Sequence, residues 1–356
     1  MTLSRSLAPQ LHALAPLLVL LALSLAALLA LSCAPAAGPE VALSVAPDPE
    51  HLFPVRRGGL VGFVNGAGVL VVEPKFTSTG PEGEGLIPVR VGEGWGYIDR
   101  TGAWAIEPTY DEAGRFSRGL APVRIGALGG YVDPSGEIVI QPRFEGARSF
   151  SEDRAAVRSQ GLWGFIDPAG EVVIPPGYRQ TRDFSQGLAA VQTADGLWGF
   201  VDVSGATVIA PRWSDAYSFA RDRAVVRGAD GAFGFIDRSG EPVIEVAQFG
   251  ARSFSGDLAP VRKRGADGAV RWGYIETSGR MAIESAWEDA KAFGDGRAPV
   301  QTREGGWGYI DAEGKLVIDP AFATAEPFDH GLALVGAGEG WGYIDTAGRW
   351  VWEPSV

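Results

Sequence analysis

The chain of 356 residues has one cysteine, three histidines and no excess of basic charge, and each scarcity removes a class of function. A single thiol, Cys33, can form no intramolecular disulfide and supplies no multi-thiolate metal site. His12, His51 and His330 share neither a triad arrangement nor a zinc-ligand spacing. With 31 Lys and Arg against 43 Asp and Glu, the net charge is −12. Such a chain lacks the basic footprint that drives nucleic-acid binding. These shortages predict a protein that is not an enzyme, has no catalytic or metal-ligating residues and no cofactor, and binds no nucleic acid.

What is abundant is turn chemistry and apolar residues. There are 50 glycines and 24 prolines, and 46% of the chain is apolar, enough for a real core, which excludes wholesale disorder. The glycines fall in register. A core of the type Trp-Gly-Tyr-Ile-Asp places its glycine at 62, 96, 130, 164, 199, 234, 273, 308 and 342, with spacings of 34, 34, 34, 35, 35, 39, 35 and 34. Six of the nine are preceded by Trp: Trp95, Trp163, Trp198, Trp272, Trp307 and Trp341. Val61, Gly129 and Phe233 stand in the other three. A fixed period of this length is the signature of a repeat architecture.

Within one unit, Gly119 to Arg124, Gly130 to Asp133 and Glu137 to Pro142 read as three short strands separated by turns. The second turn, Asp133-Pro134-Ser135-Gly136, has the residues of a type I turn closed by a left-handed glycine. It recurs in the other eight units, with Asn65 or Glu276 replacing Asp in two of them. One carboxylate per unit is a poor calcium chelate, so each is expected to cap its own turn. The third strand is expected to stop at a proline, as at Pro108 or Pro142, because proline donates nothing to the ladder. An aromatic follows two residues later, and the connection beyond it reads as one helical turn or an irregular loop pinned onto the next unit.

The pattern Trp-Gly-Tyr/Phe-Ile-Asp, x-x-Gly, Val-Ile-x-Pro, Phe-x-x-Ala-x-x-Phe-Ser-x-Gly-Leu-Ala resembles the WG-repeat family of bacterial proteins across roughly residues 52–356. The resemblance implies a β-rich repeat and frequent envelope or secreted location; it implies no established activity. The expected fold is all-β: nine three-stranded antiparallel meanders of about 34 residues spanning 51–356. Propeller blades usually have four strands and often overlap their ends within one blade. Three strands and whole-unit ends therefore favour an open superhelix, with a closed propeller-like toroid as the alternative.

Residues 1–12 carry Arg5 and no acid, and residues 13–31 are mostly apolar and uncharged. This is a secretory signal by its physical pattern, assigned to residues 1–32. Its end, Leu29-Ala30-Leu31-Ser32-Cys33, resembles a bacterial lipobox, in which Cys33 becomes the lipid-bearing first residue. A simply cleaved signal and a retained membrane anchor are the alternatives. Residues 33–50, rich in Pro and Ala, read as a tether. The expected location is the cell envelope, anchored to the membrane by lipid, and the outer membrane if the source is Gram-negative.

Repeat arrays offer extended surfaces of equivalent positions. The leading functional expectation is therefore a non-catalytic binding or scaffold lipoprotein whose partner is an envelope protein or a glycan. A lectin-like carbohydrate binder and an envelope glycoside hydrolase are the alternatives. The candidate ligand-binding row is the residue ending the first strand of each unit: Arg56, Arg90, Arg124, Arg158, Arg227 and Arg262. Guanidinium groups in a row suit anionic glycan or acidic peptide, although pairing with neighbouring acids is the more ordinary use of such residues. The six Trp are expected to be packing residues.

Overall fold

The computed structural model describes residues 45–246, 249–265 and 267–354. The signal segment, Cys33 and most of the tether lie outside the described residues. Ser44–Val356 groups as one compact unit, apart from Met1–Leu43.

That unit contains nine antiparallel sheets in chain order, each joined directly to the next. Seven have four strands and two, the first and the seventh, have three. In the second sheet the order is Ser78–Thr79, Leu86–Val91, Gly94–Asp99, Trp104–Tyr110. The extra strand is the segment expected to be a helical turn or loop. Its residues pair one sheet onward, as Glu112 with Arg124 and Ala113 with Val123. Each chain segment thus leaves the outermost position of one sheet at an aromatic residue and enters the next sheet after a single intervening residue. In the seventh sheet a lone bridge between Ala251 and Val261 stands in place of this short strand.

The proline does not end the third strand. Trp95 faces Tyr110 while Tyr97 faces Ile106, so four steps of the third strand oppose two of the second. This is a bulge, and Pro108 sits inside it, where no ladder N–H is required. The bulged backbone presses on the glycine of the motif. A Cβ at Gly96 would lie 2.5 Å from the Ile106 carbonyl oxygen and 2.8 Å from Pro108 N. Glycine and proline, twelve residues apart, are therefore two halves of one local geometry.

The turns after the second strand have the expected chemistry. Asp133 Oδ1 accepts from Ser135 N at 2.9 Å and Glu137 N at 3.0 Å, and Gly136 has φ 87°. Accepted hydrogen bonds, led by those of the neighbouring hydroxyls, hold the carboxyls of Asp99, Asp133, Asp202 and Asp237 below the usual range.

Neighbouring sheets are sewn together by one tyrosine or phenylalanine per sheet. Tyr97 packs on Phe116 of the next sheet with ring centroids 4.8 Å apart, and its hydroxyl donates to the Gly114 carbonyl at 2.8 Å. Tyr131 repeats this with Phe150 and the Arg148 carbonyl, and Tyr309 with Phe328 and the Glu326 carbonyl. Such ring pairs add about 0.5–1.5 kcal/mol beyond the area they bury.

The last sheet meets the first through the same tyrosine position but with a different acceptor. Tyr343 packs on Phe53 at 5.3 Å and donates to the Pro54 carbonyl at 3.0 Å. Phe53, Val55, Val64, Leu332 and Tyr343 form one buried cluster. Asp48 N donates to the His330 carbonyl, and the His51 and His330 rings stack at 4.0 Å. The array is therefore closed, as a nine-bladed β-propeller, and the open superhelix is corrected. The physical reason is the fourth strand. Among the described residues of seven blades it carries the chain from one sheet into the next, so those joints share one geometry. A lone bridge takes its place in the seventh, and the contact of Tyr343 with Phe53 and Pro54 closes the last joint.

Candidate functional site

The β register fixes where the arginine row lies. Each arginine is the cross-strand neighbour of the Trp position of its own blade: Arg90 of Trp95, Arg158 of Trp163, Arg262 of Trp272, Arg227 of Phe233, Arg124 of Gly129 and Arg56 of Val61. All six stand at the same end of their blades, beside the hairpin between the first two long strands. Their local partners differ. Arg124 Nη2 lies 2.6 Å from Glu112 Oε1, and Arg158 Nε lies 4.0 Å from Glu145. The Arg227 guanidinium lies over the Phe233 ring at 5.4 Å. Arg56, Arg158 and Arg227 are exposed, while Arg90, Arg124 and Arg262 are half-buried. Nε of those last three is buried without a hydrogen-bond partner among the described residues.

A second set of cations was not singled out from the sequence. Arg148, Arg182 and Lys291 directly follow the short strands, Arg252 follows the bridge residue Ala251, and all four cover the Trp rings of their own blades. The distances to the ring centroids are 4.3 Å for Arg148 on Trp163, 5.2 Å for Arg182 on Trp198, 4.5 Å for Arg252 on Trp272 and 5.2 Å for Lys291 on Trp307. The same side chains reach the next blade. Arg148 Nη1 donates to the Thr181 carbonyl at 2.9 Å and Arg182 Nε to the Ala216 carbonyl at 2.6 Å. Trp163, Trp198, Trp272 and Trp307 are thus roofed by a cation. Trp198 and Trp307 are flanked by Ala216 and Ala325 of the next short strand. In the second blade Gly80 stands at the cation's position, and Trp95 is half-buried.

The ninth blade departs from this. Its residue after the short strand is Glu326, an acid, and among the described residues the first blade has Leu52–Arg57, Leu60–Asn65 and Leu70–Phe76 and no short strand. Trp341 therefore has neither roof nor flank. It is 50% exposed, whereas Trp198 is 4% and Trp307 is 7% exposed. Pro54 is exposed too, although Pro88, Pro122, Pro260 and Pro299, at its position in other blades, are buried. Between the first and ninth blades a cleft of about 490 Å³ opens, lined by Pro54, Arg56, Arg57, Glu326, Trp341 and Tyr343 among others. The sequence treated Trp341 as equivalent to the other five; the acid at Glu326 is the local sign that it is not.

No group of three or more His, Cys, Asp or Glu side chains that could hold a metal is present among the described residues. His51 and His330 lie together at the closure, with Glu82 3.6 Å from His51 and Asp48 3.5 Å from His330. His12 lies outside the described residues.

Nine blades with shared joints define the class of the protein, a β-propeller built from one repeated unit. The chain belongs to the WG containing repeat family, whose model matches residues 62–94, 95–128, 130–163, 163–197, 198–227, 233–265, 272–304 and 307–338. A search of curated protein sequences returned no match. Among solved structures, a eukaryotic initiation factor is similar with TM-score 0.60 and 10% identity, over 84% of this chain and 94% of that one. BamB from Moraxella catarrhalis aligns with TM-score 0.40 and 11% identity, over 83% and 95% of the two chains. At these identities the likeness concerns the fold alone.

Proposed function

We propose that the protein is a non-catalytic binding or scaffold protein of the cell envelope, exported and held to the membrane by lipid on Cys33. The observation that carries the reading is the register of Arg56, Arg90, Arg124, Arg158, Arg227 and Arg262, which repeats one cationic position around one end of the ring. The invariant parts of the unit are spent on structure: the glycine on the bulge, the carboxylate on its turn, the tyrosine hydroxyl on the neighbouring blade. A ligand is met by the positions left over. Guanidinium groups beside aromatic rings suit an anionic glycan or an acidic peptide, through paired N–H donors and stacking.

The test is retention of glycans and envelope proteins by the full-length protein in detergent, compared with an Arg90→Glu/Arg124→Glu/Arg158→Glu variant. Retention that the variant loses, with sharp dependence on salt, is the expected result. Retention of nothing, or equal retention by both, overturns the reading. The anchor is tested separately: Cys33→Ala is expected to abolish labelling by a palmitate analogue and to change the fractionation of the protein.

A further inference from the structure

We propose that the joint between the ninth and first blades is a receptor for an extended peptide, which completes the first blade as its fourth strand. The proposal rests on the binding reading above and names the site and the class of ligand.

The regular joints show what such a strand does. The residue before the short strand donates its N–H to the carbonyl of the arginine position, as Thr77 does to Arg90 and Asp111 to Arg124, both at 2.9 Å. The residue after it donates to the carbonyl two residues earlier on the same long strand, as Gly114 does to Pro122 at 2.8 Å. Its own carbonyl then accepts the tyrosine hydroxyl of the preceding blade, as Gly114 does from Tyr97. Among the described residues the first blade has no such strand, and the Tyr343 hydroxyl falls straight onto the Pro54 carbonyl. Pro54 and Trp341, covered at the regular joints, are open. A strand edge with an uncovered aromatic beside it is the physical basis of β-augmentation.

Among the described residues, the segment that precedes the first blade does not fill the place. Thr79 of a regular short strand stands seven residues before Leu86, the start of its long strand. The residue seven before Leu52 is Val45, and its carbonyl accepts from Thr346 Oγ1 at 3.4 Å, on the turn of the ninth blade. Asp48 is likewise held on His330. The proposed occupant is a separate extended segment, and the occupied joints indicate its side chains. Opposite the arginine position stand Ser78 on Arg90, Glu112 on Arg124, Gly146 on Arg158 and Asp215 on Arg227, so the charged residues found there are acids. A small residue follows, Thr79, Ala113 or Ala216, and lies toward the Trp of the preceding blade in the way Ala216 meets Trp198. Opposite Arg56, and beside Trp341, the fit is a peptide carrying Asp or Glu followed by Ala or Thr.

The probe is a synthetic peptide with the sequence of residues 108–116, Pro-Thr-Tyr-Asp-Glu-Ala-Gly-Arg-Phe. It is titrated into the full-length protein in detergent, with Trp fluorescence and calorimetry as readouts. Saturable binding is expected, weakened at least tenfold by N-methylation of the peptide at its Asp and Gly nitrogens, by reversal of its two acids to Lys, and by Trp341→Ala. Trp341 is exposed, so this variant keeps the fold, which circular dichroism checks. No binding, or binding indifferent to N-methylation and to Trp341→Ala, overturns the proposal. So does a photo-crosslink from position 341 to residues 1–44 of the same chain when no peptide is present. If the peptide fails while the arginine-dependent retention of the previous section persists, only this proposal falls; if both fail, so does the binding reading.

Discussion

The hydroxyl of Tyr343 donates to the carbonyl of Pro54 across 289 residues of chain, at 3.0 Å, and closes the ring at the point where the first blade lacks a strand. It is the odd member of a series. Elsewhere the same hydroxyl meets the residue seventeen positions onward, as Tyr97 meets Gly114, Tyr131 meets Arg148 and Tyr274 meets Lys291. The closure thus depends on a bond that the regular joints never make. Tyr343→Phe removes it while keeping the ring that packs on Phe53. A buried hydrogen bond of this type contributes about 1 kcal/mol net. The expected result is a fall of about that size in unfolding free energy, measured by urea denaturation, with faster proteolysis near residue 52.

The motif glycine is tested by comparing two blades. In the second, the bulge at Pro108 drives backbone to within 2.5 Å of where a Gly96 Cβ would stand. In the sixth, Phe233 faces Val246, Gly234 faces Glu245 and Phe235 faces Ile244, a regular stretch of ladder; its proline, Pro242, lies beyond it, opposite Ile236. There the nearest atom to a Cβ at Gly234 is the Ile244 carbonyl oxygen at 3.1 Å. Gly96→Ala is expected to cost about 3 kcal/mol, because backbone must move, and Gly234→Ala about 1 kcal/mol or less. Equal losses in urea denaturation would mean that the bulge is not what demands glycine.

These two residues also show how far the sequence could be read. The period, the turns at Asp133 to Gly136 and the all-β character follow from spacing and local chemistry, since each lies within a few residues of its cause. The strand Glu112–Ala113 was not legible, because two residues carry no alternation to detect. Nor was the bulge: Pro108 reads as a strand end until its pairing partner is known. Ring closure depends on the contact of Phe53 and Pro54 with Tyr343, which no local pattern records. Trp341 repeats the other tryptophans in its own motif, and its exposure comes from Glu326 in place of a covering cation and from the strand that the described residues of the first blade lack.

Acid sensitivity is expected in two windows. Burial, and then the stacked His330, push the pKa of His51 below its ordinary value of 6.5. The unfolded chain then binds a proton that the closed ring resists, so stability is full above pH 6.5 and falls as pH drops below it. A lower window belongs to Asp99, Asp133, Asp202 and Asp237, which are held below their ordinary value of 3.8. Their contribution is present above pH 3.8 and is lost as pH falls through their folded values. Urea midpoints between pH 8 and pH 3 measure both. His51→Gln is expected to flatten the upper window alone, and added calcium to leave both unchanged.

The opposite limit is set by the buried tyrosines. Burial pushes Tyr97, Tyr131, Tyr274, Tyr309 and Tyr343 far above the ordinary value of 10.0. In the unfolded chain these phenols ionise near pH 10, so the unfolded state releases protons that the native state keeps. Stability is therefore full below pH 10 and declines as pH rises above it, with a slope that grows with the number of such groups. Absorbance at the phenolate band is expected to stay low through pH 10 and then to rise in one cooperative step with loss of the β-sheet signal. Tyr131→Phe removes one titrating group and is expected to shallow the decline. Its own carbonyl partner, on Arg148, is left unpaired, so the same variant begins from a lower stability at neutral pH. A gradual rise of phenolate absorbance with the fold intact would show that these hydroxyls are open to solvent, and that the joints are looser than the 2.8–3.0 Å bonds of Tyr97, Tyr131, Tyr274, Tyr309 and Tyr343 require.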